Sequence, residues 1–320
     1  MSTDLRVLVL AGGLSHERDV SLRSGRRVAD ALREAGIQTV ERDVDATLLD
    51  DLTSDVADVV WPLLHGASGE DGAVRDVLDL VGVPYVGSTP AACRTAWDKP
   101  VAKAVARAAG LMTPRSVALP HGTFRELGAQ AVLAAMVDRL GLPLVVKPAR
   151  GGSALGVSIV REASDLSRAM VGCFAYGDVA LVERYVDGVE VAVSVVDSGD
   201  GPRALPAVEI VAVGGTYDYD ARYVAGATEF FVPARLTNNA AAAVADTALR
   251  AHRSFGLRHL SRTDLIVDRE GRPWFLEVNV APGMTETSLF PQAAEAGGED
   301  CAALYRRLVE VAAKDAATAS

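Results

Sequence analysis

Apolar residues fall along this chain in short continuous runs separated by stretches of helical period, the alternation expected of strands and helices packed in layers. Residues 5–10 read as a buried strand, residues 20–35 as a helix stopped by Gly36, and residues 56–64 as a second buried strand. That βαβ order predicts a parallel, Rossmann-like sheet at the N-terminus. A short strand over 83–86 leads into Gly87-Ser88-Thr89-Pro90, and a helical pattern then runs through Asp98-Lys99 to Ala109, with Pro100 suited to a first turn. The middle of the chain predicts strands over 116–119, 144–147, 157–160 and 180–185, with helices near 128–140 and 163–172. The remainder predicts a long strand over 189–196, a tyrosine-rich loop, a helix over 238–255, a hairpin and a closing helix, with residues 313–320 expected to fray. The expected class is α/β, becoming α+β after the first layer, in three segments: 1–88, 89–182 and 183–320.

Composition narrows the function classes. A length of 320 residues supports two or three units, each with its own core. Hydrophobic residues make up 49% of the chain and aromatics only 5%, which favours packed α/β layers over an aromatic binding surface. A net charge of -10 argues against a nucleic-acid track, so Arg26-Arg27 and Arg306-Arg307 read as solvated helix faces. No apolar run approaches the ~18 residues needed to cross a membrane, and the charged start Met-Ser-Thr-Asp-Leu-Arg shows no signal peptide. Cys93, Cys173 and Cys301 are widely spaced and lack a CxxC pair, which predicts buried thiols in a reducing cytoplasm. The histidines form no zinc-ligand spacing.

Four segments carry candidate chemistry. In the hairpin, β-branched residues 263–268 and the strand 273–279 flank Arg269-Glu270-Gly271-Arg272. A two-residue Glu270-Gly271 loop would set Asp264 opposite Glu277 and Arg262 opposite Asn279, all on one face. Opposed carboxylates repel unless a cation lies between them, and an oxygen-only set suits Mg²⁺ carrying phosphates; a solvated hairpin face is the plain alternative. Next, Lys147-Pro148-Ala149-Arg150-Gly151-Gly152-Ser153-Ala154-Leu155-Gly156 joins two strands. It is no Walker A motif, yet such a loop can fold over phosphates with backbone N–H groups while Lys147 and Lys99 supply charge; an ordinary hairpin turn is the alternative. Third, Gly12-Gly13-Leu14-Ser15-His16-Glu17 and His65-Gly66-Ala67-Ser68-Gly69-Glu70-Asp71-Gly72 both follow strands of the first layer, where α/β folds bind ligands. Glu17 there could hold an ammonium group, or could simply complement a helix dipole. Last, residues 217–227 hold three of the seven tyrosines, as a mobile lid or an aromatic-pinned loop would.

Taken in order, these segments resemble the D-alanine–D-alanine ligases of the ATP-grasp superfamily across essentially the whole chain. The resemblance rests on Gly12-Gly13-x-Ser15-x-Glu17-x-x-x-Ser21, His65-Gly66-x-x-Gly69-Glu70-Asp71-Gly72, Asp98-Lys99, Val146-Lys147-Pro148, Gly152-Ser153-x-x-Gly156, Tyr217-Asp218-Tyr219-x-Ala221-x-Tyr223, Arg262-x-Asp264 and Glu277-x-Asn279-x-x-Pro282-Gly283-Met284-Thr285-x-x-Ser288-Leu289. It implies an enzyme that phosphorylates the carboxylate of one D-alanine with ATP and lets the amine of a second attack the acyl phosphate, for peptidoglycan precursors. By the same resemblance, segment 1–88 would bind substrate, 89–182 would be the central ATP-grasp domain, and 183–320 would complete the nucleotide site and carry the metal. Lys99, Lys147, Gly152 and Ser153 would lie at the phosphates, and Glu183, Arg184, Val186 and Glu190 at adenine and ribose. Asp264, Glu277 and Asn279 would hold two Mg²⁺ ions, with Mn²⁺ able to substitute. Arg262 and the N–H of Gly283 would hold an oxyanion, and Glu17, linked to Ser153 and Tyr223, would grip the first substrate's ammonium. His65, Arg222, Ser288 and Leu289 would complete the substrate sites, and a homodimer is implied.

Departures from the family pattern bear on substrate. Arg222 stands where lysine is usual, Ala154 replaces a common serine and Val280-Ala281 a frequent Thr-Ser. Arginine keeps the charge but changes reach and fork geometry, so the second substrate could differ. Tyr223 favours amide over ester formation. A related ligase joining other amino acids and a nucleotide-binding regulator without turnover both stay open at this point.

Overall fold

A computed structural model describes residues 5–54, 57–212 and 227–319. The apolar run of the first layer folds as β1 (Arg6–Leu10), flanked by β2 (Gln38–Arg42) and β3 (Val59–Pro62) in a parallel sheet of order β2-β1-β3. The exposed edge strand β2 escapes sequence reasoning because Val40 is its only apolar residue. The strand expected over 83–86 reduces to a single parallel bridge between Val60 and Tyr85, since Pro84 has no N–H to extend a ladder.

Two antiparallel sheets follow. One is ordered β4-β7-β5-β6, from β4 (Ser116–Pro120), β5 (Leu144–Pro148), β6 (Ser158–Val160) and β7 (Val179–Arg184). The other is ordered β11-β10-β8-β12-β13, from β8 (Val189–Val196), β10 (Val208–Ala212), β11 (Thr228–Phe231), β12 (Leu260–Val267) and β13 (Pro273–Asn279), with β9 (Arg203–Ala204) paired to β8. A parallel layer followed by mixed α+β layers is the expected class.

The cores do not follow the expected segments one to one. In β1, Val7 and Val9 face a cluster shared with the helices Leu289–Ala296 and Cys301–Ala319, where Trp61 meets Tyr305 edge-on at 5.3 Å. Leu8 and Leu10 face the opposite cluster with Leu48, Leu78 and Tyr85, as a period of two requires. Central strand β8 is buried on both faces, which explains its Val-rich sequence, broken only by Glu190 and Ser194. Helices Pro90–Trp97 and Lys99–Ala108 pack on this third sheet rather than on the second, so residues 90–108 sit apart from the core of β4–β7. The closing helix spans Cys301–Ala319. Cys93 and Cys173 are buried as expected, whereas Cys301 is only half-buried. Among the described residues, no helix is long and apolar enough to cross a membrane.

Candidate active site

The hairpin reaches its expected pairing by two departures that cancel. Gly271 adopts φ +77° and donates its N–H to the Asp268 carbonyl at 2.9 Å, so the loop holds three residues rather than two. Near the turn the register is therefore one residue short of expectation, with Val267 opposite Pro273. A β-bulge between Asp264 and Leu265 inserts Leu276 as the extra residue and restores it. Asp264 then lies opposite Glu277, and Arg262 opposite Asn279.

Both carboxylates meet fixed cations. Arg262 forks onto Asp264, with Nε and Nη2 each 2.7 Å from a carboxylate oxygen. Lys99, at the start of its helix, places Nζ 3.3 Å from Glu277 Oε2 and donates to the Gly151 carbonyl at 2.6 Å. The two carboxylates are thus held in place by neighbouring cations. With the Asn279 amide oxygen they make an all-oxygen donor set suited to Mg²⁺. Asn279 Oδ1 already accepts from the Ala281 N–H at 2.7 Å, which leaves its second lone pair for a ligand.

Glu17 stands where three segments cross. Ser15 Oγ accepts from the Glu17 N–H at 3.0 Å, and the buried Ser153 hydroxyl of the β5–β6 loop donates to the Glu17 carboxylate. The third segment comes this close because residue 66 is glycine. Gly66 has φ +68°, and a Cβ there would meet Ser15 Oγ at 2.6 Å. Beneath it, Glu70 accepts from the Gly66 N–H at 2.9 Å. Burial, reinforced by the nearby Glu17 charge, pushes the Glu70 carboxyl up to about 8. Burial also lowers the pKa of His65, although Glu17 pulls the other way, so the imidazole is neutral.

That proton on Glu70 has a measurable consequence. Between its unfolded value of 4.5 and its folded value of about 8, the native state keeps a proton the unfolded chain has released, so stability falls as pH rises through this window. Glu70→Gln retains the acceptor for Gly66 and abolishes the titration. We expect its advantage over the wild type in urea unfolding to grow by a few kcal/mol (order of magnitude) from pH 5 to pH 8.5. A difference that stays constant with pH would show that Glu70 ionises normally.

A second buried cluster lies on the other side. Glu183 in β7 accepts from Lys147 at 2.5 Å and from Lys103 at 2.6 Å. Burial opposes the Glu183 charge, but the two ammoniums overcome it and hold the carboxyl below the usual range. Glu183 was expected to face a ligand directly; here both oxygens are engaged by lysines. Lys103 itself escaped sequence reasoning, although its place four residues after Lys99 puts both on one helix face.

Two cavities converge on these groups. The larger, about 1120 Å³, is lined by Lys147, Glu183, Arg184, Val186 and Glu190. The smaller, about 520 Å³, is lined by His65, Arg262, Asn279, Gly283, Ser288 and Leu289. Their shared wall contains Glu17, Lys99, Gly152, Asp264 and Glu277. Ser288 precedes the helix Leu289–Ala296 at its N-cap position without a side-chain bond to it, and its Oγ accepts from the Thr285 N–H at 2.9 Å. A Cβ on Gly283 would lie 2.7 Å from that Oγ, so glycine lets the two segments touch. Arg222 and Tyr223, with the rest of the expected lid, lie outside the described residues. The described residues expected at the substrate and nucleotide sites thus lie around two adjoining cavities.

Comparison with known proteins points the same way. Residues 105–310 match the family model described as the D-ala D-ala ligase C-terminus, and residues 41–88 match that of the N-terminus. A D-alanine–D-alanine ligase of Bordetella petrii is 42% identical over 96% of this chain and 92% of its own length. A ligase of that name from Bacillus anthracis, solved in complex with ATP, superposes with a TM-score of 0.82 at 27% identity over 99% of this chain and 100% of that one. The fold also matches the VanG D-Ala:D-Ser ligase of Enterococcus faecalis, with a TM-score of 0.84 at 24% identity, 97% of this chain and 100% of that one. On sequence and fold together, the chain belongs to the D-alanine–D-alanine ligase family.

Proposed function

We propose that this protein joins two D-alanines to D-alanyl-D-alanine at the expense of ATP, supplying a peptidoglycan precursor in the cytoplasm, and that it works as a homodimer. The observation that carries the reading is the shared wall: the two cavities meet at Glu17, Lys99, Asp264 and Glu277. ATP fits the larger cavity, with its phosphates toward Lys99, Lys147 and the N–H groups around Gly152. The amino acids fit the smaller one. Glu17 holds the first substrate's ammonium, which aims its carboxylate at the terminal phosphoryl group. A carboxylate oxygen takes that group and ADP is released. The second substrate rests its carboxylate on Ser288 and the N-terminal N–H of Leu289, where a helix end favours an anion. Its neutral amine then attacks the acyl carbon, the carbonyl oxygen gathers charge against Arg262 and the Gly283 N–H, and phosphate leaves as the C–O bond breaks, the nitrogen releasing its surplus proton to solvent. Asp264, Glu277 and Asn279 would hold Mg²⁺, which when bound neutralises charge on the phosphate oxygens.

Amino-acid-dependent ADP formation tests this reading. D-alanine is expected to drive turnover with a product of dipeptide mass, and L-alanine is not. Turnover that requires a different second amino acid would move the enzyme to a related specificity. No ADP formed with any amino acid would overturn the ligase reading.

A further inference from the structure

We propose that Lys103, which lines neither cavity, is a positioning residue whose charge leaves Lys147 an effective cation for the nucleotide's phosphates. The inference rests on the nucleotide reading of the larger cavity given above. Lys103 is 1% exposed and reaches Glu183 from the helix Lys99–Ala108, while Lys147 reaches the same carboxylate from β5. Only Lys147 and Glu183 of these three face the cavity.

Charge counting gives the role. Glu183 with Lys147 alone would be a neutral, closed ion pair with no net attraction for an anion. Sharing Glu183 with Lys103 leaves the trio one positive charge in excess, and Lys147 is the member that can present it to the cavity. A second buried ammonium on one carboxylate is costly to desolvate, since no water reaches it. An incoming anion offsets that cost, so the site is built as the complement of a negatively charged ligand.

Lys103 is faced by Glu183 from β7, Lys147 from β5 and Arg107 on its own helix. Burial outweighs the pull of Glu183 and brings the Lys103 ammonium down to about 8, whereas Glu183 and Glu277 outweigh burial at Lys147 and raise it. Above that value the free protein loses the Lys103 charge while Lys147 keeps its own.

The test is calorimetric binding of ATP, in magnesium buffer, to wild type, K103M and the double variant K103M/E183Q. K103M is expected to weaken ATP at least tenfold, with kcat at saturating ATP changed by only a few-fold. The double variant, which again carries one excess positive charge, is expected to recover most of that affinity. Thermal unfolding establishes that each variant is folded. Unchanged ATP binding by K103M overturns the proposal, and so does a double variant no better than K103M, because a merely structural lysine is not rescued by removing its partner. Should K103M not fold, the wild type carries the test: ATP affinity must fall as pH rises from 8 to 9.5, and a flat profile overturns the proposal. Failure of the wild type to bind ATP at pH 7 would instead remove the nucleotide reading itself.

Discussion

Glu277→Ala is expected to lower kcat by roughly 10³ or more while leaving the protein folded. The two effects separate because Glu277 serves charge rather than packing. Its side chain is about one quarter exposed and lies directly across from Asp264, so truncation removes a repulsion between like charges as well as the contact to Lys99. Lys99 keeps its hydrogen bond to the Gly151 carbonyl, which holds the lysine in place. Urea unfolding should therefore shift by no more than ~1 kcal/mol. Steady-state kinetics at saturating ATP and D-alanine provide the other half. Turnover within tenfold of wild type would mean that the opposed acids are an incidental feature of the hairpin.

Arg262→Lys should be nearly as damaging, although the charge is conserved. Arginine grips both oxygens of Asp264 at once, and a lysine offers a single point of contact. The group expected to receive the developing oxyanion would then be neither fixed nor correctly aimed. Loss of one preorganised donor of this kind costs roughly 10²–10³ in kcat. The KM for ATP should move by only a few-fold, because Arg262 lines the smaller cavity and not the larger. A variant with wild-type kcat and a greatly raised KM for ATP would reassign Arg262 to the nucleotide.

Much of this arrangement could be read from residue order alone, for identifiable reasons. The buried strands announce themselves because β8 and β1 lie between packed layers and are mostly Val, Leu and Ala. The pairing of Asp264 with Glu277 was legible because both strands alternate and the turn is short. Its correct register was partly fortunate: a three-residue loop and a bulge at Leu276 each shift the ladder by one, and neither leaves a local signal. What sequence order conceals is contact between distant segments. Nothing in residues 90–108 says that they pack on the third sheet, and nothing at Glu183 says that its carboxylate lies between Lys103 and Lys147. Edge strand β2 is hidden for the opposite reason: its exposed side chains carry no apolar rhythm.

The acids of β12 and β13 are expected to hold a divalent cation for a nucleotide at the junction of the two cavities. Mn²⁺ titration followed by electron paramagnetic resonance, in the presence of a non-hydrolysable ATP analogue, examines this without reference to turnover. Wild type is expected to sequester Mn²⁺ when the analogue is present, and Asp264→Asn and Glu277→Ala each to bind it at least tenfold more weakly, in proportion to the lost carboxylate charge. Equal Mn²⁺ binding by the wild type and both variants would contradict this expectation.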